Sequence, residues 1–364
     1  MSSPITKSSP VQLAVKPPAD FASMILAIIN RKGGAGKTTG AIFAAVKMEE
    51  QLRSLFGPPP AGQGSWTLLI DWDSQGSSSA WAQVEMPEDE QAALTLAQRA
   101  DYYLRATGKA VRDRLLPFAG TPTIVHSDAL GIDVIPASMD LGGLELKLSG
   151  EVKAPFVLRQ LIQPLRHLYR VIVIDTLSAA GLLVANAMTA ADEILIPIEP
   201  HYLSLNALTK MLNDVLAIIG DEAMWDPSVN PSLRVAGIIA NKFQATHHHK
   251  DRINELVAFF AQQGSPLDNI PLLGVISTTV EVSEASLQGT LGRGRALNVQ
   301  QVYGAIVSQL LIRWGWMDGQ QLGCYQRTAL AGYLTTLASE ERIAFLATLA
   351  PEGARVHGGI YAAG

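Results

Sequence analysis

Residues 24–56 set an apolar run, MILAIIN, directly before the glycine-rich stretch NRKGGAGKTTG and a helix-length segment, TTGAIFAAVKMEEQLRSLF. An apolar run of that length bounded by glycines predicts a buried strand, and the glycines predict a tight turn into a helix. A strand buried on both faces needs parallel neighbours joined by helical crossovers. The rest of the chain supplies them. Short apolar runs (TLLIDWD, IDVIPAS, YRVIVIDT, EILIPIEP, LRVAGIIANKF and PLLGVIST) alternate with helix-length stretches such as VLRQLIQPLRHL and LSLNALTKMLNDVLAII. The pattern predicts an α/β fold, a doubly wound, mostly parallel sheet with helices on both faces.

The strands continue without a break in composition, so residues 24–313 read as one domain. Residues 1–23 are rich in Ser and Pro and read as a flexible tail, too short for a DNA-reading helix-turn-helix domain ahead of the first strand. Residues 314–364 read as a helical C-terminal extension, in which Ser339 followed by two glutamates opens a helix. The single cysteine, Cys324, excludes an internal disulfide and a four-cysteine cluster, and reads as a buried, inert thiol. No apolar run reaches the ~18 residues of a membrane helix, and the expected location is the cytoplasm. The formal net charge of −5 means that any polyanion binding comes from a local patch. His247, His248 and His249 read as a solvated loop or helix start, because adjacent side chains point apart.

The glycine stretch carries the clearest chemistry. Gly33, Gly34 and Gly36 let consecutive backbone N–H groups face phosphate oxygens at a helix N-terminus, with Ala35 and Thr39 completing the cradle. Lys37 can reach β- and γ-phosphates, and the Thr38 hydroxyl can ligand Mg²⁺. Asp71 and Asp73 close one apolar strand and Asp175 closes another, which presents carboxylates rigidly beside the loop. Arg31 stands where the usual loop has its first glycine, and Lys32 adds a second cation before the turn.

The pattern K-G-G-x-G-K-T-T resembles the deviant Walker A loop of the ParA/MinD family of ATPases. TLLIDWDSQGSSS resembles that family's switch segment, and YRVIVIDTLSAAG its Walker B strand. VIPASMDLGGLELKL, NALTKML and SEASLQGTLG resemble further blocks, so the likeness extends over residues 24–312. It implies ATP and Mg²⁺ as cofactors and an ATP-dependent homodimer, in which Lys32 serves the nucleotide of the partner subunit while Lys37 serves its own. It implies further that Asp73 positions the attacking water, that Thr38, Asp73 and Asp175 form the metal shell with Asp71 joining through water, and that Asn241 reads adenine.

Nonspecific DNA binding through Lys242, Lys250, Arg252, Arg293 and Arg295 is also implied. So are a ParB-like centromere-binding partner that stimulates hydrolysis, a role in plasmid or chromosome segregation, and association with the nucleoid. Ser74, Leu177 and Ser178 depart from the family's prolines. A later proline-containing segment that helps hold adenine is replaced by ISTTVEVSEAS, which leaves backbone contacts from Thr278 and Thr279. A MinD-like ATPase, or one that positions a protein assembly, remains open. Acidic residues in the last predicted helix argue against a membrane site. The nitrogenase iron protein shares the loop but needs two cysteines per subunit.

Overall fold

The computed structural model describes residues 22–85, 98, 123–138, 140–149, 151, 154–178, 181–200, 205–219, 229–260, 270–277 and 279–349. Among them, strands β1 (Met24–Ile28), β2 (Thr67–Trp72), β3 (Val125–Ser127), β4 (Ile132–Ile135), β5 (Val171–Thr176), β6 (Glu193–Ile198), β7 (Arg234–Phe243) and β8 (Leu272–Ser277) form one sheet. Their order is β3-β4-β2-β5-β1-β6-β7-β8. Every neighbouring pair is parallel except β3–β4 at one edge. The α/β class expected from the alternating pattern is the class observed. Each predicted apolar run holds a strand.

Helices follow the strands: α1 (Lys37–Phe56), α2 (Ser77–Trp81), α3 (Leu141–Leu148), α4 (Val157–Ile162), α5 (Leu182–Ala190) and α6 (Leu205–Ile219). Beyond them come α7 (His247–Phe260), α8 (Glu281–Leu287), α9 (Ala296–Arg313), α10 (Leu322–Leu334) and α11 (Ser339–Leu349). They cover both faces, which is why β1, β2 and β5 are buried at every position. Successive side chains of β1 enter opposite cores, as the period of two requires. Ile25 and Ala27 pack with α4 and α5, whereas Leu26 and Ile28 pack with α1 and α9. On the second side Phe43 stacks on Tyr303 with ring centroids 5.1 Å apart.

Several local expectations change. VLRQLIQPLRHL is not one helix: α4 stops at Ile162 and a 3₁₀ segment, Gln163–His167, takes over at Pro164. Proline lacks the amide donor and its ring crowds the preceding turn. The edge strand β3 is too short to show a period in the sequence; it is fastened by His126 Nδ1, 2.7 Å from Asp133 Oδ1 of β4. Cys324 is exposed, not buried, because α10 turns Ala329, Leu330 and Tyr333 into the core and residue 324 outward. Helix α10 lies against β8 and α9. Helix α11 begins at Ser339 as expected, and the Glu341 carboxylate accepts from Ala338 N at 3.0 Å. His247 opens α7, while His249 is buried and accepts from Gln244 N at 3.0 Å. No group of three or more metal-ligating side chains occurs among the described residues. None of their helices is long and apolar enough to cross a membrane.

Candidate nucleotide-binding site

Parallel register gathers the carboxylates. Asp175 at the end of β5 pairs with Asp71 of β2 on one side and with Ile28 of β1 on the other, so both acids lie where the loop leaves β1. A crevice beyond the carboxyl ends of parallel strands is where α/β sheets bind ligands.

The loop itself is held by side chains. Asn30 Oδ1 accepts from Lys32 N at 2.8 Å, and its Nδ2 donates to the Pro197 carbonyl of β6. Arg31, in place of the usual glycine, pairs with Asp214 of α6. Gly34 and Gly36 adopt φ of +78° and +91°, the left-handed region that favours glycine. Asn241, on β7, donates Nδ2 to the Ala35 carbonyl at 3.0 Å. A Cβ on Gly36 would lie 2.5 Å from that same Nδ2. Glycine is required there twice over, by conformation and by space.

Lys37 begins α1 and is buried. Its Nζ donates to the Lys32 carbonyl at 3.3 Å and contacts Ser178 Oγ. Burial lowers its pKa, and Asp175 and Asp73 act in the opposite direction. Thr38 and Thr39 follow on the first turn, both partly exposed.

Asp175 is fully buried, and burial pushes its pKa up to about 7, against the Ser78 hydrogen bond and with Asp71 adding to the rise. Ser78 donates to Oδ2, whereas Oδ1 has no hydrogen-bond partner. An unpaired buried carboxylate oxygen is costly unless a cation meets it. Thr38 lies close enough to act on this carboxyl's ionisation. The donor set, a hydroxyl and carboxylates beside a phosphate cradle, is that of Mg²⁺.

Asp71 and Asp73 divide their tasks. Asp71 is buried, and both its oxygens serve the turn after β2. Oδ2 accepts from Ser79 N at 2.8 Å and Ser79 Oγ at 2.7 Å, and Oδ1 from Asp73 N at 3.3 Å. It acts as a strut that aims its neighbour. Asp73 is half-buried at the rim, with Oδ1 accepting from Gln75 N at 3.0 Å.

The basic residues scatter. Lys242 stands at the loop rim with its ammonium on Glu199, not with the arginines ahead of α9. On α7, Lys250 donates to the Thr336 carbonyl and Arg252 pairs with Glu255. Arg293 and Arg295 are exposed, with Arg295 3.9 Å from Glu281. Helices α7, which carries Lys250 and Arg252, and α9, which follows Arg293 and Arg295, pack on opposite faces of the sheet. Thr279 hydrogen-bonds Glu281; Thr278 lies outside the described residues. The sequence did not show that Glu199 would meet the two rim lysines or that Ser178 would meet Lys37. The only signal for Glu199 was an acid closing the apolar run EILIPIEP.

A family model described as an AAA domain matches residues 23–225. The chain is 28% identical over 263 residues to the chromosome partitioning protein ParA of Caulobacter vibrioides (strain NA1000 / CB15N), a match covering 72% of this chain and 83% of that protein. A solved Cyanothece McdA in complex with ATP matches with a TM-score of 0.58 and 18% identity, covering 80% of this chain and 96% of the other. Cobyrinic acid a,c-diamide synthase from Mycobacterium smegmatis, with bound ATP analog and magnesium, matches with a TM-score of 0.56 and 19% identity, covering 82% and 98%. The two structures establish the fold alone. The family match spans more than half of the chain and contains the loop, Asp73, Asp175 and Glu199, and the chain belongs to this AAA-domain family, the ParA/MinD group whose loop and strand motifs it resembles.

Proposed function

We propose that the chain is a DNA-partition ATPase that works as an ATP-dependent homodimer. The observation that carries the reading is the meeting of a two-lysine phosphate loop with a buried carboxylate, Asp175, that has one oxygen unpartnered. The amides of residues 33–39 and Lys37 would hold the triphosphate of ATP, and Thr38, Asp73 and Asp175 would hold Mg²⁺. The metal, when bound, neutralises charge on the phosphoryl oxygens. Asp73 at the rim orients the attacking water, and Asp71 fixes the turn that aims it. Asn241, already tied to the loop, would read the adenine. The Caulobacter relative's name and the ATP and ATP analog in the two solved neighbours support the reading.

The Lys32 side chain is 44% exposed, within reach of a second subunit. In this reading it offsets charge at the partner's site, so two chains hold each other only when both loops are filled. Dimerisation doubles the exposed basic surface, and Arg293 and Arg295 are its most available phosphate contacts. Lys250 and Arg252 contribute only with the donors that their local partners leave over. Lys242 is held on Glu199 at the loop rim and lies outside the DNA contacts. A ParB-like centromere-binding protein would stimulate hydrolysis and release the DNA. The place of action is the nucleoid in the cytoplasm.

Sedimentation tests the cargo. The ATP-loaded chain is expected to pellet with plasmid DNA at low salt and to lose most of that binding as salt rises, because phosphate contacts release counterions. Pelleting with anionic liposomes and not with DNA would overturn the partition reading in favour of membrane positioning. Gly36→Ala tests the loop: affinity for a fluorescent ATP analogue is expected to fall roughly tenfold or more, from left-handed strain and the collision with Asn241. Unchanged affinity would remove the loop from the binding site.

A further inference from the structure

Glu199 lies in the turn after β6, and its two oxygens are claimed by lysines from the two segments that frame the phosphate loop. Lys32 Nζ is 3.2 Å from Oε2, and Lys242 Nζ pairs with Oε1. The Glu199 side chain is only 7% exposed, while those of Lys32 and Lys242 are 44% and 53% exposed. The cluster presses on the loop: a Cβ on Gly34 would lie 3.6 Å from Lys242 Nζ and 3.9 Å from Glu199 Oε1. Lys242 has a φ of 56°, a left-handed conformation that a lysine adopts only where its surroundings impose it. Burial acts to raise the Glu199 pKa, yet the two lysine contacts outweigh it and the carboxyl is held below its ordinary range.

Counting charges shows what the arrangement permits. One nearly buried carboxylate faces two ammonium groups. When Lys32 departs, Glu199 keeps Lys242 and remains a neutral pair. Were Lys242 absent, the same departure would strand a desolvated carboxylate, which is the expensive case. The second lysine makes the first one releasable.

Building on the cross-subunit role proposed for Lys32, we infer that Glu199 and Lys242 are positioning residues for it. Glu199 parks Lys32 against its own chain, and Lys242 neutralises Glu199 once Lys32 has moved to the partner's nucleotide. Glu199 therefore raises the nucleotide concentration needed for dimerisation, and Lys242 lowers it.

The experiment titrates the full chain with ATP and with a non-hydrolysable analogue, follows dimer by light scattering, and measures the monomer's nucleotide affinity separately. Glu199→Gln is expected to move the dimerisation midpoint down roughly tenfold, and Lys242→Met to move it up by a similar factor. The double variant should behave like Glu199→Gln alone, because Lys242 acts only on a charged Glu199. Monomer affinity should change little in each. A pair that merely supports the loop would shift both midpoints upward, and that result overturns the inference. Lys32→Ala separates the two levels. If Lys32→Ala dimerises normally, the cross-subunit role itself fails. If it does not dimerise while Glu199→Gln and Lys242→Met leave the midpoint unmoved, the parking role alone fails.

Discussion

Lys37→Ala is expected to lower the rate of ATP hydrolysis by about 10²–10³-fold, the scale lost when one preorganised charge contact to a transition state is removed. The surroundings of the side chain make the effect large. Lys37 is 5% exposed, begins the helix that leaves the loop, and is fixed by the Lys32 carbonyl and Ser178. Burial lowers its pKa while Asp175 and Asp73 sustain the charge, so a cation is held in place before any phosphate arrives. Such a group needs no reorganisation during the reaction. Lys37→Arg should rescue little, because a guanidinium fork has a different shape from the compact ammonium that contacts Ser178. Single-turnover hydrolysis with saturating nucleotide is the measurement. A rate within tenfold of the parent chain would place Lys37 outside the catalytic set. For the proposed dimer, Lys32→Ala is expected to contrast with it, keeping some nucleotide binding and losing ATP-dependent dimerisation.

The part of this site that could be read from the chain is the part built from neighbours in sequence. MILAIIN, the glycines and Lys37 are contiguous, so one stretch of sequence specifies strand, turn and helix together. TLLIDWD and YRVIVIDT could likewise be placed, because an apolar strand ending in an acid sets a carboxylate at the rim of the sheet, where a cation offsets its desolvation. Contacts across the sheet were hidden. Glu199 meets Lys32 and Lys242 only because β6 lies between β1 and β7, an adjacency that no local pattern encodes. Lys242 read as one more basic residue until its left-handed backbone set it against Gly34. Asp71 and Asp73 look equivalent in the sequence. The turn after β2 makes one a strut and leaves the other at the rim. Helix phase is the remaining gap: a helical C-terminal extension could be read, but not which side Cys324 would take.

Asp175→Asn is expected to raise the stability of the ligand-free chain while removing its response to magnesium. Asp175 has an ordinary pKa of 3.8, and burial pushes it up to about 7 in the folded chain. An acid with a raised folded pKa costs stability as pH climbs. The unfolded chain releases the proton near the ordinary value, whereas the folded chain must keep it or bury a charge. The cost therefore grows between about pH 4 and pH 7 and then levels off, at an upper figure on the order of 4 kcal/mol. Asparagine fills the same space without the charge, and its amide can still meet Ser78. Urea melts of both chains should then converge near pH 4 and separate in favour of the variant by pH 8. Added Mg²⁺ with nucleotide should reverse the order, because only the parent chain has an anionic Oδ1 for the cation to pair. Parallel pH profiles for the two chains would mean that no buried charge resides at Asp175, and the metal assignment would fail with it. A profile that diverges as expected, without a magnesium response in the parent chain, would retain the electrostatics and move the metal elsewhere.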